Sequence, residues 1–353
     1  MTNAQTNFLA QNNESRIPQL RVILNTDCGK RCLYCRPSGE AACSIPTYNR
    51  ISREELQKCI SVLVDRGIRE IRLTGGDPAL YPQNELISLV GGIAELGIHN
   101  LSIVTRNGRI RTILPMLKAA GLTHITFSLD SMNAERWVTV CGIPAKRIKE
   151  HQELLDTIRE AKRIGLKVNL NSVLLNDTCK IDLPALVDFA GELSINLKIE
   201  EIIRDIGQND GDGRELHANL EPLKVFLRQK AECSEIIHAP GGLGHPMEVF
   251  HLDNHASVTW KMFAAGTCYG PSCRECRHFP CDDALMALRL LPDGKLQTCL
   301  KRDDNLLDLI SAIREGNGSE IAEMALAEYK NSTRYSFDEI NSIRENQSRG
   351  ISA

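Results

Sequence analysis

Three cysteines fall close together as Cys28-Gly-Lys-Arg-Cys32-Leu-Tyr-Cys35, a C-x3-C-x2-C spacing. Three thiolates on one tight loop can hold three irons of a four-iron, four-sulfide cube and leave the fourth iron open to an outside ligand, which differs from the four-cysteine ligation of electron-transfer ferredoxins. A zinc knuckle would want a fourth Cys or His close by. None lies within the loop, although Cys43 follows it. A second group, Cys268-x4-Cys273-x2-Cys276-x4-Cys281 with Cys299 beyond it, offers five thiols for at most four ligand positions. Cys273, Cys276, Cys281 and Cys299 are the favoured set, with Cys268 as spare or substitute. A second Fe–S cluster or a structural zinc would suit them. The chain carries 13 cysteines in all. That count is odd and no apolar leader precedes it, so clustered ligation in a reducing compartment is a better reading than a disulfide framework. Cys43, Cys59, Cys141, Cys179 and Cys233 are scattered, and most of them read as small apolar fillers.

These loops need elements to position them. From about residue 20 to 230, strand and helix patterns alternate. Leu20 to Asn25 reads as a strand, and Ser52-Arg53-Glu54-Glu55 as a capping box that opens a helix stopping near Gly67. Glu70 to Thr74, Leu101 to Thr105, His124 to Leu129, Val168 to Leu174 and Leu197 to Ile202 read as further strands. Helices are expected near Asn84–Leu96, Ile110–Ala120, within Lys146–Ile164 and near Leu183–Leu193. Six strands with intervening helices imply a parallel α/β sheet, which right-handed crossovers can roll into a full or partial barrel. Site residues then collect at the C-terminal ends of strands, where the first cysteine loop and Gly75-Gly76-Asp77 both sit.

With those motifs in order, the chain resembles the radical S-adenosylmethionine (SAM) superfamily, whose hallmark is C-x3-C-x-aromatic-C after the first strand of a partial (β/α)6 TIM-like barrel. The resemblance implies a 4Fe–4S cluster on Cys28, Cys32 and Cys35, and reductive cleavage of SAM to a 5′-deoxyadenosyl radical. It places Tyr34 beside the adenine. It matches Gly75-Gly76-Asp77 to a Gly-Gly-Glu motif that holds the SAM amino group. Thr105 and Asn107, Ser128 and Asp130, and Asn171 resemble segments near the ribose and methionyl groups. Cys281-x12-Gly294-x4-Cys299, with a hairpin turn at Pro292-Asp293-Gly294, resembles the twitch or shortened SPASM module that carries an auxiliary cluster, here expected as a second 4Fe–4S.

Within the superfamily the likeness is greatest to the GTP 3′,8-cyclase-like branch. Arg21, Arg72 and Arg289 stand where that branch has substrate arginines. Ala287 replaces the first arginine of an R-L-R-L motif, Lys198 stands where an arginine is expected, and the chain closes Gly350-Ile351-Ser352-Ala353 rather than Gly-Gly. These departures imply a relative with a different, nucleotide-like or small anionic substrate, remade by C–C bond formation or rearrangement in cofactor or natural-product biosynthesis. The alternatives are a peptide-modifying radical SAM/SPASM enzyme and a non-catalytic Fe–S or zinc scaffold. The polar segment before Arg21 is short for a leader-peptide domain, and a scaffold would not need Gly75-Gly76-Asp77.

The expected organisation is a polar segment over 1–20, the barrel over 21–230, an auxiliary cluster module over 231–302, and a helical segment with a loosely packed polar tail over 303–353. His251-x3-His255 reads as surface or turn, and the Gly/Asp-rich stretch 205–213 as a solvated loop. A net charge of −3 makes no electrostatic case for nucleic acid or membrane as partner. The expected setting is cytoplasmic, with a flavodoxin- or ferredoxin-type electron donor, a small-molecule substrate and a homodimer allowed.

Overall fold

The computed structural model describes residues 16–349 apart from 36–49, 176–178, 203–215, 217, 240–241, 263–264, 282 and 284. The expectations for Cys43, the 205–213 loop and the last four residues lie outside these. Six strands follow the expected order: β1 (Gln19–Ile23), β2 (Glu70–Thr74), β3 (Asn100–Thr105), β4 (His124–Ser128), β5 (Lys167–Val173) and β6 (Asn196–Glu200). Each is parallel to the next. Leu20 and Val22 on β1, Ile71 and Leu73 on β2, and Val168 and Leu170 on β5 are buried against the helices. Their alternating neighbours face the lumen, as a period of two requires. The Ser52 capping box is present, and the helix it opens, Arg53–Asp65, buries Leu56, Ile60, Leu63 and Val64.

The sheet then runs past these six strands, into the segment where the sequence suggested a separate module. After β7 (Ala231–Ile237) and β8 (Met247–Leu252), strand β9 (Ser257–Lys261) returns parallel to β6, while the antiparallel pairs β8–β9 and β7–β8 complete that edge. At the other edge β11 (Ala287–Leu290) lies parallel to β1, followed by antiparallel β12 (Lys295–Gln297) and β13 (Leu307–Asp308). One 12-stranded sheet results, in the order β13-β12-β11-β1-β2-β3-β4-β5-β6-β9-β8-β7. The β11–β12 turn is the expected one: Gly294 at φ +83° donates to Leu291 O.

The polar tail is the clearest correction. Residues 333–335 form β14, paired antiparallel with β10 (Thr267–Tyr269), and a helix follows over Phe337–Ser348. Ser336 and Glu339 make a second capping box, overlooked in a stretch with little hydrophobic periodicity. No helix among the described residues is long and apolar enough to cross a membrane.

Candidate active site

The first cysteine loop leaves the end of β1 and is tied on two sides. Gly76 and Asp77 donate from their backbone nitrogens to Asn25 O and Asp27 O, each at 2.8 Å. A Cβ at Gly76 would lie 2.2 Å from Asp27 O, so only glycine permits this approach. On the far side Arg31 N donates to Cys141 O (2.9 Å) and Leu33 N to Val140 O (3.0 Å). Cys32 is buried, Cys28 half-buried and Cys35 exposed. Burial, with Asp77 nearby, pushes the Cys28 thiol up to about 11, and Cys32 and Cys35 add to that push. A hydrogen bond from Cys141 holds Cys32 down at about 7, helped by the Arg106 guanidinium. Cys141 is therefore more than a small apolar filler.

The residues matched to SAM positions gather at adjacent strand ends. Asp77 is almost fully buried. Its Oδ1 accepts from Ala79 N (2.9 Å) and Thr105 Oγ1 (2.5 Å), and its Oδ2 from Arg106 N (3.0 Å). Burial raises its pKa while these donors pull it back. Asp77 thus latches the ends of β2 and β3 together, and Gly75, at φ +143°, leaves Thr74 within reach of the β1 end. Asn107 caps the following turn by accepting from Arg109 N. Ser128 and Asn171 are register partners, and Asn171 O accepts from Leu129 N (2.9 Å). Asp130 accepts from the Tyr34 hydroxyl (2.8 Å), Arg106 Nη1 (3.0 Å) and Val173 N (2.9 Å). Arg106, in the middle of Thr105-Arg106-Asn107-Gly108, is a site residue that motif matching passed over.

Deeper in the lumen, Arg289, Arg21 and Arg72 are register partners on β11, β1 and β2, so the three lie side by side at one level. Arg289 is 4% exposed, and its Nε has no partner among the described residues. Opposite stand Lys198 and Glu200 on β6, paired at 2.6 Å, and Lys261 on β9. Against the opposing push of burial, Lys198 and then Lys261 hold the Glu200 carboxyl down at about 2, with Arg21 contributing. Burial, then Lys261 and Arg72, lowers the Lys198 pKa. Lys261 and Glu200 had escaped notice because their strands were not known to be neighbours. The alternating Ser257-x-Thr259-x-Lys261 pattern was the available signal.

The second cysteine set sits at the end of this row. Burial pushes Cys273 up to about 12, with Cys299 and Cys281 adding to the effect. Cys299 is raised by burial, then by Asp283 and Cys281, and lowered slightly by Arg289. Arg302 feels both Cys276 and Cys299. Cys273, Cys281 and Cys299 thus lie within electrostatic reach of one another, and Cys276 shares Arg302 with Cys299, while Cys268 lies on β10, donating to Gly242 O at 3.2 Å. Of the other features, Cys59 and Cys179 are buried fillers, as expected, but Cys233 is exposed on β7. His251 contacts Glu235 at 2.9 Å, and His255 sits in a turn at φ +64°.

Among the described residues no three His, Cys, Asp or Glu side chains converge as they would around a single ion. A cube asks for something else, one thiolate per iron. Three thiols on one loop, a nearby guanidinium and the glycine approach at Gly76 fit that demand.

Residues 22–190 match the family described as the Radical SAM superfamily. A probable GTP 3′,8-cyclase of Sulfurisphaera tokodaii is 28% identical over 301 residues, 84% of this chain and 86% of that protein. The GTP 3′,8-cyclase of Aquifex aeolicus is 27% identical over 300 residues, again 84% and 86%. Among solved structures, Streptococcus suis SuiB bound to S-adenosylmethionine aligns with a TM-score of 0.59 at 13% identity, over 88% of this chain and 68% of that one. Native anSMEcpe with bound AdoMet aligns with a TM-score of 0.56 at 14% identity, over 92% and 83%. At such identities the structural likeness is one of fold.

Proposed function

We propose that this chain, a radical SAM enzyme similar to the GTP 3′,8-cyclases, acts on a small anionic, nucleotide-like substrate held in its barrel lumen, and rebuilds it by C–C bond formation or rearrangement. The observation that carries this reading is the charge of the lumen. Arg21, Arg72, Arg289, Lys198 and Lys261 line it, with the Glu200 carboxylate among them. Cations gathered along one partly buried lumen give it a positive potential that favours an anionic ligand over a neutral one.

SAM and a 4Fe–4S cluster on Cys28, Cys32 and Cys35, when bound, supply a 5′-deoxyadenosyl radical able to take a hydrogen atom from unactivated carbon. The protein's own part is binding and exclusion of water. The arginine row can grip an anionic group with planar, multiply donating guanidinium groups. Glu200 braces Lys198 from the opposite wall, with Lys261 beside the pair. Asp77, Thr105 and Asp130 hold the strand ends around SAM. Arg289, between the lumen and Cys299, would keep the substrate against an auxiliary 4Fe–4S cluster held by Cys273, Cys276, Cys281 and Cys299. The barrel proposed for 21–230 and the auxiliary segment proposed for 231–302 thus meet along the β1–β11 edge. The electron donor proposed is a flavodoxin or ferredoxin.

The test is 5′-deoxyadenosine formation by anaerobically reconstituted, reduced enzyme, with nucleotides and other small anions offered against uncharged nucleosides and neutral peptides. An anion should stimulate turnover. Arg289→Met should cut that stimulation by roughly 10- to 100-fold, the loss expected for one charged hydrogen-bonding partner. Equal stimulation by uncharged nucleosides or neutral peptides would sink the reading.

A further inference from the structure

The roles above leave Arg106 without one. Its side chain is 10% exposed and tightly held. Nη1 donates to Asp130 Oδ2 at 3.0 Å and to Cys141 Sγ at 3.3 Å, while the other terminal nitrogen donates to the Tyr34 hydroxyl. Asp130 cannot follow a moving partner, because Val173 N holds its other oxygen at 2.9 Å. The Cys141 thiol in turn lowers the Cys32 pKa, as a donor set against that sulfur does. The Cys141 segment is itself clasped to the cysteine loop through Arg31 N and Leu33 N. Gly142, at φ +58°, lets the two backbones meet, since a Cβ there would lie 2.1 Å from Arg31 O. A line of donors therefore runs from a buried cation, through one thiol, to a sulfur of the cluster loop.

We propose that Arg106 is a positioning residue for the SAM-cleaving cluster, holding a fixed positive charge against the cysteine loop through Cys141 and thereby raising the cluster's reduction potential; this rests on Cys28, Cys32 and Cys35 holding that cluster. One-electron reduction adds a negative charge behind the thiolates. Hydrogen bonds to the ligating sulfurs and a nearby cation both favour the reduced state, and partial burial limits screening by water. Asp130 opposes the effect from the far side of the guanidinium, so the two members of the pair should move the potential in opposite directions.

The test is an anaerobic, EPR-monitored potentiometric titration of the full chain, reconstituted with iron and sulfide and without SAM, with iron content measured on every variant. Arg106→Gln should keep its iron and shift the midpoint to more negative potential. Arg106→Lys should restore most of the shift, Cys141→Ala should move it the same way by less, and Asp130→Asn should move it up. A wild-type midpoint in an iron-replete Arg106→Gln chain overturns the proposal. If that variant loses its cluster, wild-type midpoints in both Cys141→Ala and Asp130→Asn overturn it instead. If the titrating signal and its iron persist in the Cys28/Cys32/Cys35→Ala triple variant, the ligand assignment beneath the proposal is wrong, and the proposal falls with it.

Discussion

The two cysteine regions are built in different ways. The loop of Cys28, Cys32 and Cys35 is tied by backbone hydrogen bonds to other parts of the barrel: Gly76 and Asp77 reach Asn25 and Asp27 across the β1 and β2 ends, and Arg31 and Leu33 reach Cys141 and Val140. It cannot move without opening the parallel sheet. The segment from Cys273 to Cys281 has mostly local backbone bonds, Cys273 N to Gly270 O, Cys276 N to Cys273 O and Phe279 N to Cys276 O. Its longer-range ties come from side chains: Arg302 Nη1 donates to Ser272 O at 3.1 Å and the Tyr269 hydroxyl to Cys281 O at 2.6 Å, and others lie near the C-terminus. Glu328 accepts from Ser272 N and Oγ, Arg344 donates to Pro280 O (3.3 Å), and Gln347 donates to Phe279 O (2.9 Å). Tyr335 closes an edge-to-face cluster with Tyr269 and Phe279. The first cysteine loop is therefore built into the sheet, whereas the second is fastened on largely by side chains from elsewhere, several of them on the two C-terminal helices.

Three experiments would break or sharpen this contrast. The largest effect is expected from the Cys28/Cys32/Cys35→Ala triple variant, which should lose one cluster's iron, about four atoms, and all 5′-deoxyadenosine formation, while the remaining iron stays. Loss of all iron would mean that the two regions depend on each other. A chain ending at Ser332 removes β14 and the last helix with Tyr335, Arg344 and Gln347. It should lose most of the auxiliary iron but still cleave SAM; auxiliary iron that survives in full would show that β14 and the last helix are not needed to hold the loop, leaving Glu328 and Arg302 to do so.

The smallest effect lies in the barrel wall. His151 is buried, its Nε2 on Ser131 O at 3.0 Å and its ring 5.5 Å from that of Trp137. Burial lowers its pKa, with the Ser131 carbonyl opposing. The folded chain therefore holds His151 neutral more strongly than the unfolded chain does. Its contribution is complete above the ordinary value of 6.5 and is lost as pH falls below that toward the depressed folded value. Melting temperature should drop on acidification below 6.5 by on the order of a few degrees more in wild type than in His151→Gln. Parallel curves for the two proteins would remove His151 from the account.

Much of the candidate site was legible before any fold was known, because its signals are local. The C-x3-C-x2-C spacing, the Gly75-Gly76 approach and the Ser52 capping box each lie within a few residues, and hydrophobic periodicity placed six strands close to where they form. The missed residues depend on distant partners. Arg106 and Cys141 matter through each other and through Cys32, which no spacing reveals. Lys261 matters because β9 lies beside β6, and Arg289 because β11 lies beside β1.

By itself the sequence determined the chemistry on offer and the local geometry of its loops: three thiols on a turn, glycines where backbone must come close, caps where helices start. These follow from covalent structure and short-range sterics. Only the tertiary structure decided which charges share the lumen, which of the five later cysteines come near one another, and what fastens the second cysteine loop. Those depend on strand order and on one pleat-wide register, long-range quantities that a stretch of sequence does not contain.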